Sequence, residues 1–377
     1  MYESIVRILR DKGHSVCLFE RTSKNIGHLK DKIQAFTKGI YSSSTKKEIL
    51  DVLAFENPEV VHAHNLYPFI SPSVMVACKE SNVPVVMRCP NCRLVCPIGN
   101  LTRNDNVCEL CSNGKEYWCV LKNCRGNIFE SAGYAFRSAV ARKLRLYQKN
   151  VTLYVPPSEF VKSKLVNAGF PQERIIVVPN MVSGNDSGID MSLGDYVAYV
   201  GRISPEKGIK TLLTSARLTG IPVRLAGDYS KMPEILKTVP PNVQFVGHLN
   251  RNQLDKFYQK ARFTVVPSLW FEAFGLVAAE AMRNGLPVIA SRIGALPEIV
   301  EDGVTGFLFD PGNIKELMSK MKILWENKDL CREMGKAARR KAIQDYSEDV
   351  YYKRLIALYK KAIEINNEQK RHKARSL

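Results

Sequence analysis

Glu272 and Glu280 bracket the stretch of this chain best equipped for chemistry. The residues from Phe274 to Arg283 are rich in Ala, Leu, Glu and Met, which favour a helix, and Glu272 falls in the loop before it. The first turn of a helix leaves backbone N–H groups without partners at the positive end of its dipole, so Phe274-Gly275-Leu276 offers an anion site. Gly275 lets a ligand approach the backbone closely. Glu280 falls about two turns into this helix, on the order of 10 Å further along its axis. A carboxylate, an anion hole and a second carboxylate then follow in line. That order suits a ligand with a hydroxylated group at each end and phosphates between them, a nucleotide-diphospho-sugar.

The flanking elements fix where these groups must sit. Arg262 to Val266 reads as a buried strand that meets a loop at Pro267-Ser268. Gly285 stops the helix, and Leu286 to Ala290 is the next strand, so the unit implies a parallel sheet. Some 65 residues upstream, the strand Tyr196 to Val200 runs into Gly201-Arg202-Ile203-Ser204-Pro205-Glu206-Lys207-Gly208 and then a new helix. A glycine turn with two cations makes a second anion site. As single residues, two glutamates on a helix or two surface cations would mean little.

Their context is more specific. The block P-S-x3-E-x-F-G-L-V-x2-E-A-M-x2-G-x-P-V-I-A-S, preceded by G-R-x-S-x-E-K-G, resembles the retaining glycosyltransferases of family 4, which have the GT-B fold. The resemblance implies an α/β architecture of two Rossmann-like, doubly wound parallel-sheet domains facing a cleft. It implies an acceptor-side domain over 1–180, a linker at 181–194, a nucleotide-sugar domain over 195–345, and a helix with a basic tail over 346–377 that crosses back to the first domain. Within it, Arg202 and Lys207 neutralise the donor diphosphate, the Gly275 amide supports them, Glu280 holds the ribose and Glu272 the sugar. Phe274, Leu276 and Asn180 join the donor contacts. Gly247-His248-Leu249 resembles the loop that meets the nucleobase through its backbone, with His248 a contact or a bystander. The implied activity is transfer of a hexose from a UDP- or GDP-sugar to a glycan or lipid-linked acceptor in surface polysaccharide synthesis. No cofactor is required, because Arg and Lys replace a divalent ion. A sugar epimerase of the same fold is a weaker reading. The family usually opens on a strand and a Gly-Gly loop, whereas this chain opens on a helix over 2–12 with Ile5, Ile8 and Leu9 on one face. That departure favours a rival reading, an inactive relative acting as a zinc-stabilised scaffold.

In the first half, strands are expected at Ser15 to Glu20, Pro58 to His62, Val83 to Arg88, Thr152 to Pro156 and Arg174 to Val178. Helices are expected at Lys46 to Phe55, 73–81, 127–149 and 159–168. His62 and His64 alternate to one side of an extended chain. His64 falls at the C-terminal end of its strand, where α/β proteins bind ligands, and the resemblance makes it a residue facing the transferred sugar. Seven of the ten cysteines fall between Cys89 and Cys124. Cys108-x2-Cys111 has the spacing of a chelating pair. With Cys96 and Cys124 it could bind a structural zinc, as in a similar subset of the family. Free thiols and an iron–sulfur cluster are the alternatives, and Cys89, Cys92 or Cys119 could replace a ligand. On the helix 127–149, Phe136, Val140, Leu144 and Tyr147 form a stripe that reads first as core. Its basic residues lie on other faces, and a lipid surface is the second reading.

Composition bounds these readings. The 377 residues are enough for two domains, and no run of 18 apolar residues crosses a membrane. The start is not a signal peptide, so a cytosolic protein is expected, peripheral on the inner face of the plasma membrane. The net charge of +18 favours anionic partners. No nucleic-acid motif is present, so an anionic membrane surface is the better reading.

Overall fold

The computed structural model describes residues 1–375 apart from 22–38, 65, 67–69, 105, 184–193 and 231. The chain divides into two compact units. One comprises 1–101, 109–178 and the chain from Tyr352 onward; the other comprises 102–108 and 179–351. Most of the expected linker, 184–193, and of the stretch 22–45 lies outside the described residues.

In the first unit, β1 (Val61–Ala63), β2 (Val85–Arg88) and β3 (Leu153–Val155) form a parallel sheet in that order. Helix α1 (Tyr2–Asp11) buries Ile5, Ile8 and Leu9, as its periodicity predicts. Helices α2 (Ser43–Glu56) and α3 (Ser73–Glu80) pack against each other. Ile49 and Leu53 of α2 join Val74 and Met75 of α3, Val85 of β2 and Tyr154 of β3 in one core. The strand expected at Ser15 to Glu20 does not form. Among the described residues no strand pairs with it, and it is mostly exposed; an unpaired ribbon is not stable alone. Arg174 to Val178 contributes one bridge, Ile175 to Tyr154, in place of a strand.

The long helix expected over 127–149 is two. α4 (Tyr117–Leu121) precedes α5 (Ile128–Lys143), which the Asn127 side chain caps. Arg145 then adopts a left-handed φ of 53° before α6 (Leu146–Asn150). The break rotates the stripe read as core. Tyr147 is buried, but Phe136 and Leu144 are exposed. α7 (Glu159–Asn167) follows, capped by Ser158.

The second unit carries the apolar strands β4 (Tyr196–Val200), β5 (Val223–Ala226), β6 (Val243–Gly247), β7 (Ala261–Val266), β8 (Val288–Ser291) and β9 (Gly306–Phe309). All pair in parallel, in the order β9-β8-β7-β4-β5-β6. Counted within the unit this is 3-2-1-4-5-6 read from the β6 edge, the doubly wound order with its reversal between β4 and β7. Parallel sheets are covered on both faces, and residues alternate accordingly. Tyr196, Ala198 and Ala290 face one core layer, while Val197, Tyr199 and Ile289 face the other. The helices are α8 (Ile209–Thr219), α9 (Arg251–Gln259), α10 (Leu276–Arg283), α11 (Leu296–Ile299), α12 (Ile314–Glu326) and α13 (Lys328–Tyr346). The last helix, α14 (Glu348–Arg375), takes in most of the basic tail. Among the described residues no helix is long and apolar enough to cross a membrane.

The first unit buries two histidines in contact, with ring centroids 4.3 Å apart. His62 shares a 2.7 Å hydrogen bond with the Tyr359 hydroxyl. Burial, then the charges of Arg88 and the chain N-terminus, push the His64 pKa down from 6.5 to about 4. The unfolded chain therefore takes up this proton first. The stability involved is present above pH 6.5 and is lost as pH falls toward 4, by roughly 3 kcal/mol for His64. Thermal melts between pH 7 and 4.5 should show that fall, and His64→Asn should flatten it.

Candidate functional site

The sheet order brings two loops together. The crevice outside the C-terminal ends of β4 and β7 is where an open α/β sheet binds its ligand, and both predicted anion sites open there. Gly201 to Gly208 leaves β4, and Pro267 to Gly275 leaves β7. The Leu269 amide donates to the Glu206 carbonyl at 2.9 Å, joining the loops. Gly208 has φ 72°, and a Cβ there would sit 1.8 Å from the Pro267 carbonyl oxygen, so no other residue fits. A third loop closes in from β8. The Ala295 amide donates to the Glu272 carbonyl at 2.8 Å, and a Cβ on Gly294 would lie 2.6 Å from the Glu272 backbone.

Glu272 is the centre of this cluster. Its Oε1 accepts from Lys207 Nζ at 2.6 Å, Ser268 Oγ at 2.8 Å and Trp270 Nε1 at 2.9 Å. Burial is the largest single influence on this carboxyl and raises its pKa. The Lys207 charge and the three donors together outweigh burial, so it is held below the usual carboxylate range. The Trp270 ring lies under both cations, 4.8 Å from Lys207 Nζ and 5.5 Å from the Arg202 guanidinium, within cation–π range. Arg202 is half-exposed and also pairs with Glu206 at 3.3 Å.

Helix α10 begins at Leu276, with Gly275 as its left-handed cap at φ 94°. The start is two residues later than expected, so Glu280 sits little more than one turn in. Leu276 is exposed at that end. The Phe274 ring is buried against Tyr346, edge to face at 5.4 Å, which leaves only its backbone for a ligand. Glu280 lies 3.6 Å from Arg251 on α9. Burial raises its pKa, against the pull of Arg251 and with the push of Asp255. Arg251 also donates to the Ser183 carbonyl.

Residues 194–341 match the family model described as glycosyl transferases group 1. That segment is a glycosyl transferases group 1 domain. The chain is 27% identical to the sulfoquinovosyl transferase SQD2 of Arabidopsis thaliana, over 90% of this chain and 65% of that protein. Among solved structures, a glycosyltransferase from Rickettsia africae ESF-5 superposes with a TM-score of 0.64 at 18% identity, over 95% of this chain and 88% of its own. Anabaena Alr3699/HepE, solved in complex with UDP, does so with 0.61 at 18% identity, over 89% and 82%. The fold is that of the GT-B glycosyltransferases. The chain spans 51% to 66% of the length of curated relatives such as these.

Within the group 1 domain the structure gathers Arg202, Lys207 and Glu272 on adjoining loops, with Gly275 and Leu276 opening the helix that carries Glu280. His248 is exposed just after β6, the edge strand. Asn180 is half-buried near the start of the second unit. His64 belongs to the first unit, at the C-terminal end of β1, with the Tyr2 ring 5.6 Å away. Ser268, Trp270 and Arg251 were not legible as site residues. Trp270 reads as an apolar loop residue until its indole N–H is seen on Glu272, and Arg251 reaches Glu280 across a distance that no local spacing rule encodes.

The four cysteines expected to bind metal are not gathered. None of the ten cysteines is in a disulfide, and among the described residues no group of three His, Cys, Asp or Glu is placed to hold an ion. Cys108 falls in the segment grouped with the second unit. Cys111, Cys119 and Cys124 pack together. Burial, followed by the neighbouring thiols of Cys124 and Cys96, pushes the Cys119 thiol up to about 12.

The two glutamates carry opposite electrostatic signs. Glu272 is stabilised as a carboxylate by the fold, whereas Glu280 is ionised against its burial. Glu272→Gln should therefore lower stability by about 1–3 kcal/mol by stranding Lys207. Glu280→Gln should leave the melting temperature unchanged or raise it. Melts of the two variants at pH 7 check this contrast.

Proposed function

We propose that the chain transfers a sugar from a nucleotide-diphospho-sugar to a glycan or lipid-linked hydroxyl, with retention at the anomeric carbon. The observation that carries the reading is the Lys207–Glu272 pair beside the start of α10, at the strand reversal. A diphosphate at that helix start would compete with Glu272 for the Lys207 ammonium. All three described donors to Glu272 reach Oε1, so Oε2 is left to bond a sugar hydroxyl. Arg202, Lys207 and the first amides of α10 then stabilise the charge that grows on the leaving diphosphate, in a site where such preorganised donors act strongly. Glu280, drawn from Arg251, holds the ribose. With the leaving group so stabilised the sugar carbon becomes oxocarbenium-like. The resemblance supports attack from the leaving-group side, with His64 toward the sugar. The UDP in the Anabaena structure supports a UDP-type donor over a GDP-type one. Surface polysaccharide synthesis on the inner face of the plasma membrane is the setting that the family supports.

Nucleotide release across a panel of UDP- and GDP-sugars tests this reading. Glu272→Gln and Lys207→Ala should each lose at least about 100-fold in kcat/KM. Near-normal turnover in Lys207→Ala would contradict its phosphate role. Release from no donor would instead favour a scaffold.

Zinc remains part of the proposal, as structural support for the cysteine segment and with no part in transfer. The Cys108-x2-Cys111 spacing and the family resemblance support it, with Cys89, Cys92 or Cys119 able to replace a ligand. Binding would deprotonate these thiols. Elemental analysis of purified protein should find about one zinc per chain; absence of both zinc and iron would end this claim.

A further inference from the structure

The first unit exposes large apolar side chains, two of which, Phe136 and Leu144, belong to the stripe read as core. Phe129 is 84% exposed, Leu121 67%, Leu144 55%, Phe136 54%, Tyr117 53% and Ile128 47%. All lie on α4, on α5 or at their ends. Tyr117 and Leu121 are four residues apart on α4, and Phe129 and Phe136 are seven apart on α5, so each pair shares a helix face. The two helices pack through the opposite side, with Cys119 of α4 against Ala135 of α5. Six large apolar side chains on one short stretch exceed the scattered exposure normal for a monomer and mark a docking surface.

Charge says what docks. Residues 115–149 hold eight Lys and Arg against two Glu, a local net charge of 8 − 2 = +6. Both glutamates are neutralised within the patch, Glu116 by Arg142 at 2.6 Å and Glu130 by Arg125 at 3.5 Å. Lys115, Lys122, Lys143, Arg145 and Lys149 are all exposed. The left-handed turn at Arg145 ends α5 and sets Leu144 among these cations. A second copy of the chain would bring +6 against +6. An anionic bilayer instead offers both things the patch lacks, apolar depth for aromatic and leucine side chains and negative headgroups for the basic rim.

We propose that α4 and α5 dock the protein onto anionic lipid, with Leu121, Phe129 and Phe136 entering the boundary between headgroups and acyl chains and Lys143, Arg145 and Lys149 on the headgroups. This docking is independent of the transfer chemistry proposed above, because it is read without a donor.

Co-sedimentation of the full chain with vesicles tests it. Vesicles of phosphatidylglycerol and phosphatidylcholine should bind at least about tenfold more tightly than phosphatidylcholine alone, and binding should weaken as salt rises. The double variant Phe129→Asp/Phe136→Asp should lose about tenfold or more of that affinity with its thermal melt unchanged. Lys143→Glu/Arg145→Glu/Lys149→Glu should abolish the preference for anionic lipid. Equal binding to neutral vesicles, or parental binding by the aspartate variant, overturns the proposal. So does a dimer in light scattering that the aspartate variant dissociates, since the face would then be a contact between copies. Preferential binding of a nucleic acid that the aspartate variant also loses would overturn it as well. Because nucleotide release is not read, failure here leaves the donor site untouched, and failure of the donor site leaves this result intact.

Discussion

The second unit is built around one buried ion pair. Lys207 and Glu272 come from loops 65 residues apart in sequence, and the pair forms only because the sheet reverses direction between β4 and β7. Two loops leaving adjacent strands at the reversal have no helix between them, so they can close on each other. The closure is tight enough that backbone touches backbone, with Gly208 against Pro267 and Gly294 against Glu272. A charge pair this sheltered costs more in desolvation than its attraction alone returns unless further donors satisfy it. Ser268 and Trp270 supply them. The order of the strands, the glycines and the indole thus serve one requirement, a carboxylate kept ionised beside the anion-binding start of a helix.

Glu280 sits under the opposite regime. It lies on the same helix, one turn deeper, yet burial pushes its pKa up and its cation stands 3.6 Å away. Such a group is costly without a ligand and improves when hydroxyls replace missing water. A stabilised carboxylate before the anion site and a destabilised one behind it divide the work. On the function proposed above, the first is fixed before a donor arrives, while the second would gain from the donor at its nucleoside end.

How much of this was legible in the sequence follows the range of each interaction. The strands of the second unit could be read because both faces of a parallel strand are apolar, so Tyr196–Val200 and Ala261–Val266 fall where the runs of apolar residues put them. Arg202, Lys207 and Glu272 were legible through motif spacing, since each sits at a fixed offset from a strand end. Partners joined through tertiary structure were not. Trp270 gives its N–H to Glu272 and Arg251 its guanidinium to Glu280, and neither contact has a local signature. In the first unit the reading failed where a strand needs a neighbour. Ser15 to Glu20 has the composition of a strand, but nothing described pairs with it.

The helix read as 127–149 shows why a periodic stripe is weaker evidence than a strand's composition. A 3.6-residue period says that apolar groups share a face; it does not say what covers that face. On α5 the small residues Ser131, Gly133, Ala135 and Ala141 are buried, where close packing against neighbouring helices favours them, and the large Phe129 and Phe136 are left outside. Arg137 is buried with the small residues, so neither size nor hydrophobicity alone decides the orientation. Burial of the aromatic face would release more free energy per residue, by roughly 25 cal/mol per Å², only if a partner surface existed within the chain. Phe129 and Phe136 stay largely exposed, and the surrounding positive charge disfavours a second copy. The exposed stripe and its basic rim are the two observations on which the proposed lipid docking rests.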